Sequence, residues 1–277
     1  MERVLVGTDG SVSAQVAVRW AQGLATATSA ELVIAHAWQP TSIELPPEMH
    51  EELREQAQRS LTEEWSSEAR ASGGRVRAVL LDGDPRETLS ELADREDADL
   101  IVVGARGAGG RPHAFHIGSV THHLVHHTKR PLAAIPASAP TTFPTTVELG
   151  LDGSDTSLRA LDWVRDAGSA VAREVIAVYA EFVMAEWVPR WDSKSWYREA
   201  VEDCERWTQP LRDAGLSTTS KVLVHEPVPA LTEVGVRENA GMIVVGSRGR
   251  GGITGLRLGS TALKVLHESG LPVVLVP

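Results

Sequence analysis

The chain has 277 residues, 42% of them hydrophobic, and a formal net charge of −10. That length accommodates two ordinary domains with real cores, while the acidic balance lacks the basic stripe that would offset polynucleotide phosphates, so DNA and RNA are excluded as expected partners. A single cysteine, Cys204, closes no intrachain disulfide, and no apolar run reaches signal-peptide or membrane-span length, so cytoplasmic residence with no membrane partner is the expectation.

The first element is a strand, RVLVG at 3–7, followed by Thr8-Asp9 and then Ser11. Beyond them Ala17, Trp20, Ala21 and Leu24 recur at helix-face spacing. ELVIAHA at 31–37 is the second strand, and LPPEMHEELREQAQRSLTEEW at 45–65 reads as the longest helix of this half. RVRAVLL at 75–81 is the third strand, and Asp84 before Pro85 is a good helix start. LIVVG at 100–104 is the fourth, a glycine-rich loop follows, Gly118-Ser119 opens the last helix, and PLAAI at 131–135 is the fifth strand. Short apolar runs bounded by turn residues, with helical periods between them, specify a doubly wound parallel sheet.

The same order then repeats. VLVGTDGS at 4–11 returns as VELGLDGS at 147–154, and Trp20 falls on Trp163, both at an offset of 143. DADLIVVGARG matches NAGMIVVGSRG at an offset of 142, and GSVTHHLVHHTKRPLAAIP matches GSTALKVLHESGLPVVLVP at 141. Agreement in order at nearly constant spacing marks an internal duplication. Proline and threonine replace any apolar period between Ala137 and Thr145, which is the linker. The expected organisation is a domain at 1–138 and a second at 146–277. The fold class is α/β, two tandem doubly wound parallel five-stranded sheets, Rossmann-like with strand order 3-2-1-4-5. The halves are expected to be related by pseudo-twofold symmetry, with Pro131 to Ile135 beside Pro272 to Val276, because pairing removes two open edges.

In such sheets ligands bind beyond the carboxyl ends of the strands where the order reverses. Gly7-Thr8-Asp9 and Gly104-Ala105-Arg106-Gly107 stand at those two ends in the first half. Glycines admit close approach of backbone amides to an anion, and the helix opened by Gly118-Ser119 supplies free N–H groups and a partial positive charge. This is a phosphate cradle. Neither G-x-G-x-x-G after the first strand nor a P-loop lysine occurs, so phosphate charge would be met by backbone amides, Arg106 and Arg248, or a metal ion. That favours holding a nucleotide over cleaving it.

The pattern G-x-x-G, nine residues, then G-[ST], together with an aspartate just past the first strand, resembles the universal stress protein family in its tandem two-domain form. The pattern is complete in the second half, as Gly246, Gly249, nine residues, Gly259 and Ser260. The resemblance implies bound ATP, with Mg²⁺ as a companion, adenine near Ala37 or Ala180, and ribose and phosphates near Asp9 or Asp152 and the loop. The candidate nucleotide-binding set is Gly7, Asp9, Ala37, Gly83, Gly104, Arg106, Gly107, Gly118, Ser119 and Val120 in the first half. In the second it is Gly150, Asp152, Ala180, Gly246, Arg248, Gly249, Gly259, Ser260 and Thr261. No catalytic or metal-ligating residue is assigned. The resemblance further implies pairing through the fifth strand and a nucleotide-dependent regulator of stress response or dormancy acting on an unidentified protein partner, and further association of the whole chain into a homodimer is expected through helices or the tryptophan loop. A weak ATPase or adenine-nucleotide hydrolase, and a scaffold with degenerate sites, remain as alternatives.

The first half departs from the pattern, with ten residues between Gly107 and Gly118, Pro112 and Phe115 among them. One inserted residue shifts the chain by up to roughly 3.5 Å unless it bulges away. Arg111-Pro112-His113 fits an outward bulge, so the first site is expected to be the weaker one. Other features have plainer readings. His122 and His126, like His123 and His127, have the spacing that lets two imidazoles share a metal, yet no carboxylate partner is evident, and a solvated helix face is expected. Trp65 and Trp207 occupy equivalent places and are expected to pack in the core or between domains. Trp187, Trp191 and Trp196 read as a loop without a match in the first half and a candidate partner patch. Cys204 reads as a packed thiol.

Overall fold

A computed structural model describes residues 1–39, 46–107, 117–140, 143, 145–182, 193–251 and 258–277. The inserted residue of the first loop, the Arg111-Pro112-His113 bulge, Trp187 and Trp191 lie outside the described residues. The chain forms two compact units, Met1–Phe143 and Pro144–Pro277.

In the first unit the strands are β1 (Arg3–Gly7), β2 (Glu31–Trp38), β3 (Val76–Asp82), β4 (Leu100–Gly104) and β5 (Leu132–Ile135), ordered β3-β2-β1-β4-β5. All neighbours are parallel, with Leu5 opposite Val33 on one side and Ile101 on the other. In the second unit β6 (Thr146–Gly150), β7 (Glu174–Ala180), β8 (Ser217–Leu223), β9 (Met242–Gly246) and β10 (Val273–Val276) repeat that order as β8-β7-β6-β9-β10. These strands are also parallel. Helices cover both faces, which is why the central strands are buried along nearly their whole length and read as continuous apolar runs.

The helices of the first unit are α1 (Val12–Thr28), α2 (Pro47–Arg59), α3 (Ser67–Ala71), α4 (Pro85–Arg95) and α5 (Ser119–His127). Those of the second are α6 (Asp155–Ala167), α7 (Ser193–Asp213), α8 (Pro227–Arg237) and α9 (Ser260–Glu268). Caps explain the starts. Ser11 Oγ accepts from Ala14 N, Asp84 from Arg86 N and Ser154 from Ser157 N, each satisfying a first-turn amide. α8 begins at Glu226-Pro227 without a side-chain cap.

One expected helix is broken. Residues 45–65 do not form a single α-helix, because α2 ends at Arg59 and Ser60–Trp65 form a π-helical turn before α3. Within that turn Leu61 is completely buried and the Trp65 indole lies against Gly10. The counterpart α7 runs unbroken for 21 residues, tolerating Pro210 near its C-terminal end, and it carries Trp196, which stands on a helix and not in a loop.

Candidate nucleotide-binding cavities

β1 and β6 each run into a turn that only glycine can complete. After Asp9, Gly10 adopts φ +73°, and a Cβ there would lie 2.5 Å from the Trp65 ring. After Asp152, Gly153 adopts φ +74° against Trp207 in the same way. Both conditions forbid a side chain, since positive φ is strained for other residues and the ring is in the way. Trp65 and Trp207 therefore pack within their own units, as buttresses behind the aspartate turns. Asp9 Oδ1 accepts from Ser11 N at 3.0 Å. Asp152 Oδ1 accepts from Ser154 N at 3.0 Å and from Ser154 Oγ at 2.5 Å, while its Oδ2 accepts from Arg250 N at 2.9 Å.

The glycine loops meet these aspartates. A Cβ on Gly107 would come within 2.9 Å of Asp9 Oδ2, and one on Gly249 within 2.6 Å of Asp152 Oδ2. Gly118 N donates to Ala105 O at 2.8 Å and Gly259 N to Ser247 O at 2.7 Å, so both loops close on the start of the last helix in the same manner. Gly118 and Gly259 are the N-caps of α5 and α9 and offer no side chain to the first-turn amides. Those N–H groups, with the positive end of the helix dipole, are left for an anion.

Two cavities result, one in each unit. The first, about 250 Å³, is lined by Gly7, Asp9, Ala37, Gly104, Arg106, Gly107, Gly118, Ser119 and Val120 among others. Gly83 is not on its wall. That residue turns the chain at φ +126° ahead of α4. The second, about 530 Å³, is lined by Gly150, Asp152, Ala180, Gly246, Arg248, Gly249, Gly259, Ser260 and Thr261. No lysine is among the described residues lining either cavity.

Gly104 and Gly246 have a further task. A Cβ on Gly246 would sit 2.6 Å from Ser157 N, and one on Gly104 would sit 2.8 Å from Ser13 Oγ, so these glycines seat α6 and α1 against the ends of β9 and β4. Sequence reasoning assigned them to the cradle alone.

Residues that sequence reasoning passed over give the second cavity a different wall. Tyr179 stands where the first unit has His36, an equivalence the offset of 143 makes visible. His36 Nδ1 lies 2.8 Å from Thr8 O. In the second unit the Arg250 guanidinium lies 5.6 Å from the Tyr179 ring centroid and 5.4 Å from that of Trp207, and its Nη1 is 3.2 Å from Tyr179 Oη. Tyr179 Oη donates to Glu181 at 2.6 Å, as does Trp196 Nε1 at 3.1 Å. Burial first, then the Glu181 carboxylate, push the Tyr179 hydroxyl up to about 12, so it stays a donor. The position aligned with Arg250 in the first half is Ala108.

Outside the cavities, Cys204 is buried, and burial raises its thiol above the ordinary value, as expected of a packed and inert cysteine. On α5 the rings of His122 and His126 lie 4.8 Å apart. Among the described residues no three His, Cys, Asp or Glu side chains converge on a common point, and no helix is long and apolar enough to cross a membrane.

Comparison with known proteins agrees with this architecture. The profile of the Universal stress protein family matches residues 1–136 and 145–277. A universal stress protein of Mycobacterium tuberculosis is 30% identical over 288 residues, covering 98% of this chain and 95% of that protein. A second from the same species is 29% identical over 294 residues, with the same coverage. The crystal structure of a universal stress protein from Archaeoglobus fulgidus superimposes with a TM-score of 0.76 at 20% identity, over 99% of this chain and 97% of that one, which supports the fold. With the family matched once in each half, the chain belongs to the universal stress protein family.

Proposed function

We propose that each unit binds one ATP, with the second site the tighter, and that the chain acts as a nucleotide-dependent regulator. The observation that carries this reading is the coincidence, in both units, of an aspartate turn, a glycine loop and a last helix without a side-chain cap around one cavity. Backbone amides and a helix N-terminus suit phosphate oxygens, and an arginine at each loop adds charge. Mg²⁺ fits the same arrangement, because it binds through one or two carboxylates plus the phosphates themselves, and each cavity presents an aspartate from its first turn. Adenine would lie toward Ala37 and Ala180.

Binding is favoured over turnover. Among the described residues the walls hold no lysine, and none of their hydroxyls is set against an uncommitted general base. Mass spectrometry of the nucleotide released from purified protein tests the ligand. Recovery of ATP or ADP supports the reading, and absence of any bound or titratable adenine nucleotide sinks it. Steady ADP release well above background that is lost on Asp152→Ala would replace the regulator by an ATPase.

A further inference from the structure

The last helix of the first unit carries four histidines in nine residues, at 122, 123, 126 and 127. Its counterpart α9 has Leu263, Lys264, His267 and Glu268 there, so the cluster belongs to the first unit alone. The four rings form two i,i+4 pairs with different geometry. His123 and His127 are stacked, their centroids 3.9 Å apart and their planes 12° apart, with His127 Nδ1 held 2.8 Å from His123 O. His122 and His126 have centroids 4.8 Å apart and planes inclined at 54°.

The difference decides which pair can chelate. An imidazole ligates through a lone pair in the plane of its ring. Lone pairs of nearly parallel rings run side by side, whereas those of inclined rings can meet at one point. Neither the His122 nor the His126 ring takes part in a hydrogen bond among the described residues, so the ring nitrogens of that pair are unspent. No third described side chain converges on them, which leaves the remaining coordination positions to water.

We propose that His122 and His126 form a two-histidine site for a transition-metal dication on α5, where His122 is exposed and His126 half-buried. Neutral imidazoles select Cu²⁺, Ni²⁺ and Zn²⁺ over the hard oxygen-seeking Mg²⁺ and Ca²⁺, and the order of affinity follows the general series with Cu²⁺ tightest. The site is separate from any Mg²⁺ that accompanies a nucleotide, and it does not depend on the nucleotide reading.

Calorimetric titration of the full-length, nucleotide-free chain with ZnCl₂, NiCl₂ and CuCl₂ in a non-coordinating buffer tests it. Wild type is expected to bind one equivalent that His122→Ala/His126→Ala abolishes, since both chelating imidazoles are removed, while MgCl₂ gives no binding there. His123→Ala/His127→Ala should retain the equivalent. Circular dichroism melts establish that both double variants fold, each of them replacing one exposed and one half-buried histidine. Unchanged affinity in the His122/His126 variant, or equal loss in both variants, overturns the assignment. So does a wild-type chain that takes up no equivalent of Cu²⁺.

Discussion

The carboxylate of Glu148 occupies the space that the missing side chain of Gly235 leaves: a Cβ on Gly235 would lie 2.5 Å from Glu148 Oε2. Glu148 sits in β6 with no exposed surface, and neither carboxyl oxygen has a hydrogen-bond partner among the described residues. At the equivalent positions the first unit has Leu5 and Ala93, both buried. The second unit has exchanged a leucine–alanine contact for a glutamate–glycine one, at conserved space but not at conserved polarity.

Burial pushes the Glu148 carboxyl from 4.5 to about 8. Below pH 4.5 the acid is protonated in the folded and the unfolded chain alike and costs nothing on this account. Between 4.5 and about 8 only the unfolded chain releases the proton, so stability falls as pH rises, and above about 8 the loss levels off. The full effect is on the order of 4–5 kcal/mol. Replacing the pair by its first-unit form, Glu148→Leu with Gly235→Ala, should therefore stabilise the second unit at pH 8 more than at pH 5. Urea melts of both proteins at the two pH values measure it, and an equal gain at each pH would contradict the account.

Gly246 and Gly259 should respond differently to a side chain. At Gly246 a Cβ meets the backbone of α6 at 2.6 Å, a contact that cannot yield by a rotamer change. Gly246→Ala is expected to cost about 1–3 kcal/mol as overpacking and to lower the melting temperature of its unit. At Gly259 the nearest atom is Arg248 Cα at 3.3 Å. Gly259→Val should lower melting less than Gly246→Ala does while weakening ATP binding about tenfold. Melting curves beside ATP titrations of the two variants separate the roles, and matching behaviour would show that the two glycines share one.

Arg250 is expected to strengthen the second site electrostatically. Tyr179 is buried and Trp207 half-buried, so a guanidinium over them gains up to about 2 kcal/mol, comparable with the roughly 1.5–3 kcal/mol of one charge-assisted bond to phosphate, and a polyphosphate that offers more than one such bond can draw it from the two rings. Arg250→Met should lower the second site's affinity for ATP and flatten its salt dependence, with adenosine binding little changed. Equal losses for ATP and adenosine would assign Arg250 to shaping the wall instead.

Much of this was legible in the sequence because duplication doubled each signal. Ten strands, the glycine loops and the two aspartates follow from apolar runs and their repeat spacing, since strands covered on both faces leave little room for polar residues. What escaped was determined by contact. Glu148 interrupts an apolar strand and gives no periodic sign that Gly235 accommodates it. The π-helical turn at Ser60–Trp65 keeps a helical pattern in sequence while shifting Trp65 onto Gly10. Gly246 looked like a phosphate glycine, and only its distance to Ser157 N reveals that α6 rests on it. Arg250 was hidden among loop residues, its role visible once Tyr179 and Trp207 flank it.

The central claim is that each unit holds ATP and that the two sites are unequal. The second cavity is the larger, about 530 Å³ against about 250 Å³, and among the described residues it adds Arg250 to the arginine that both loops share. Equilibrium titration with ATP, counting nucleotides bound per chain for wild type, Asp9→Ala and Asp152→Ala, tests this most directly. The account predicts two sites differing by about tenfold or more, with Asp152→Ala removing the tighter and Asp9→Ala the weaker. Two equal sites, loss of the tighter one in Asp9→Ala, or no binding of ATP at all would contradict it.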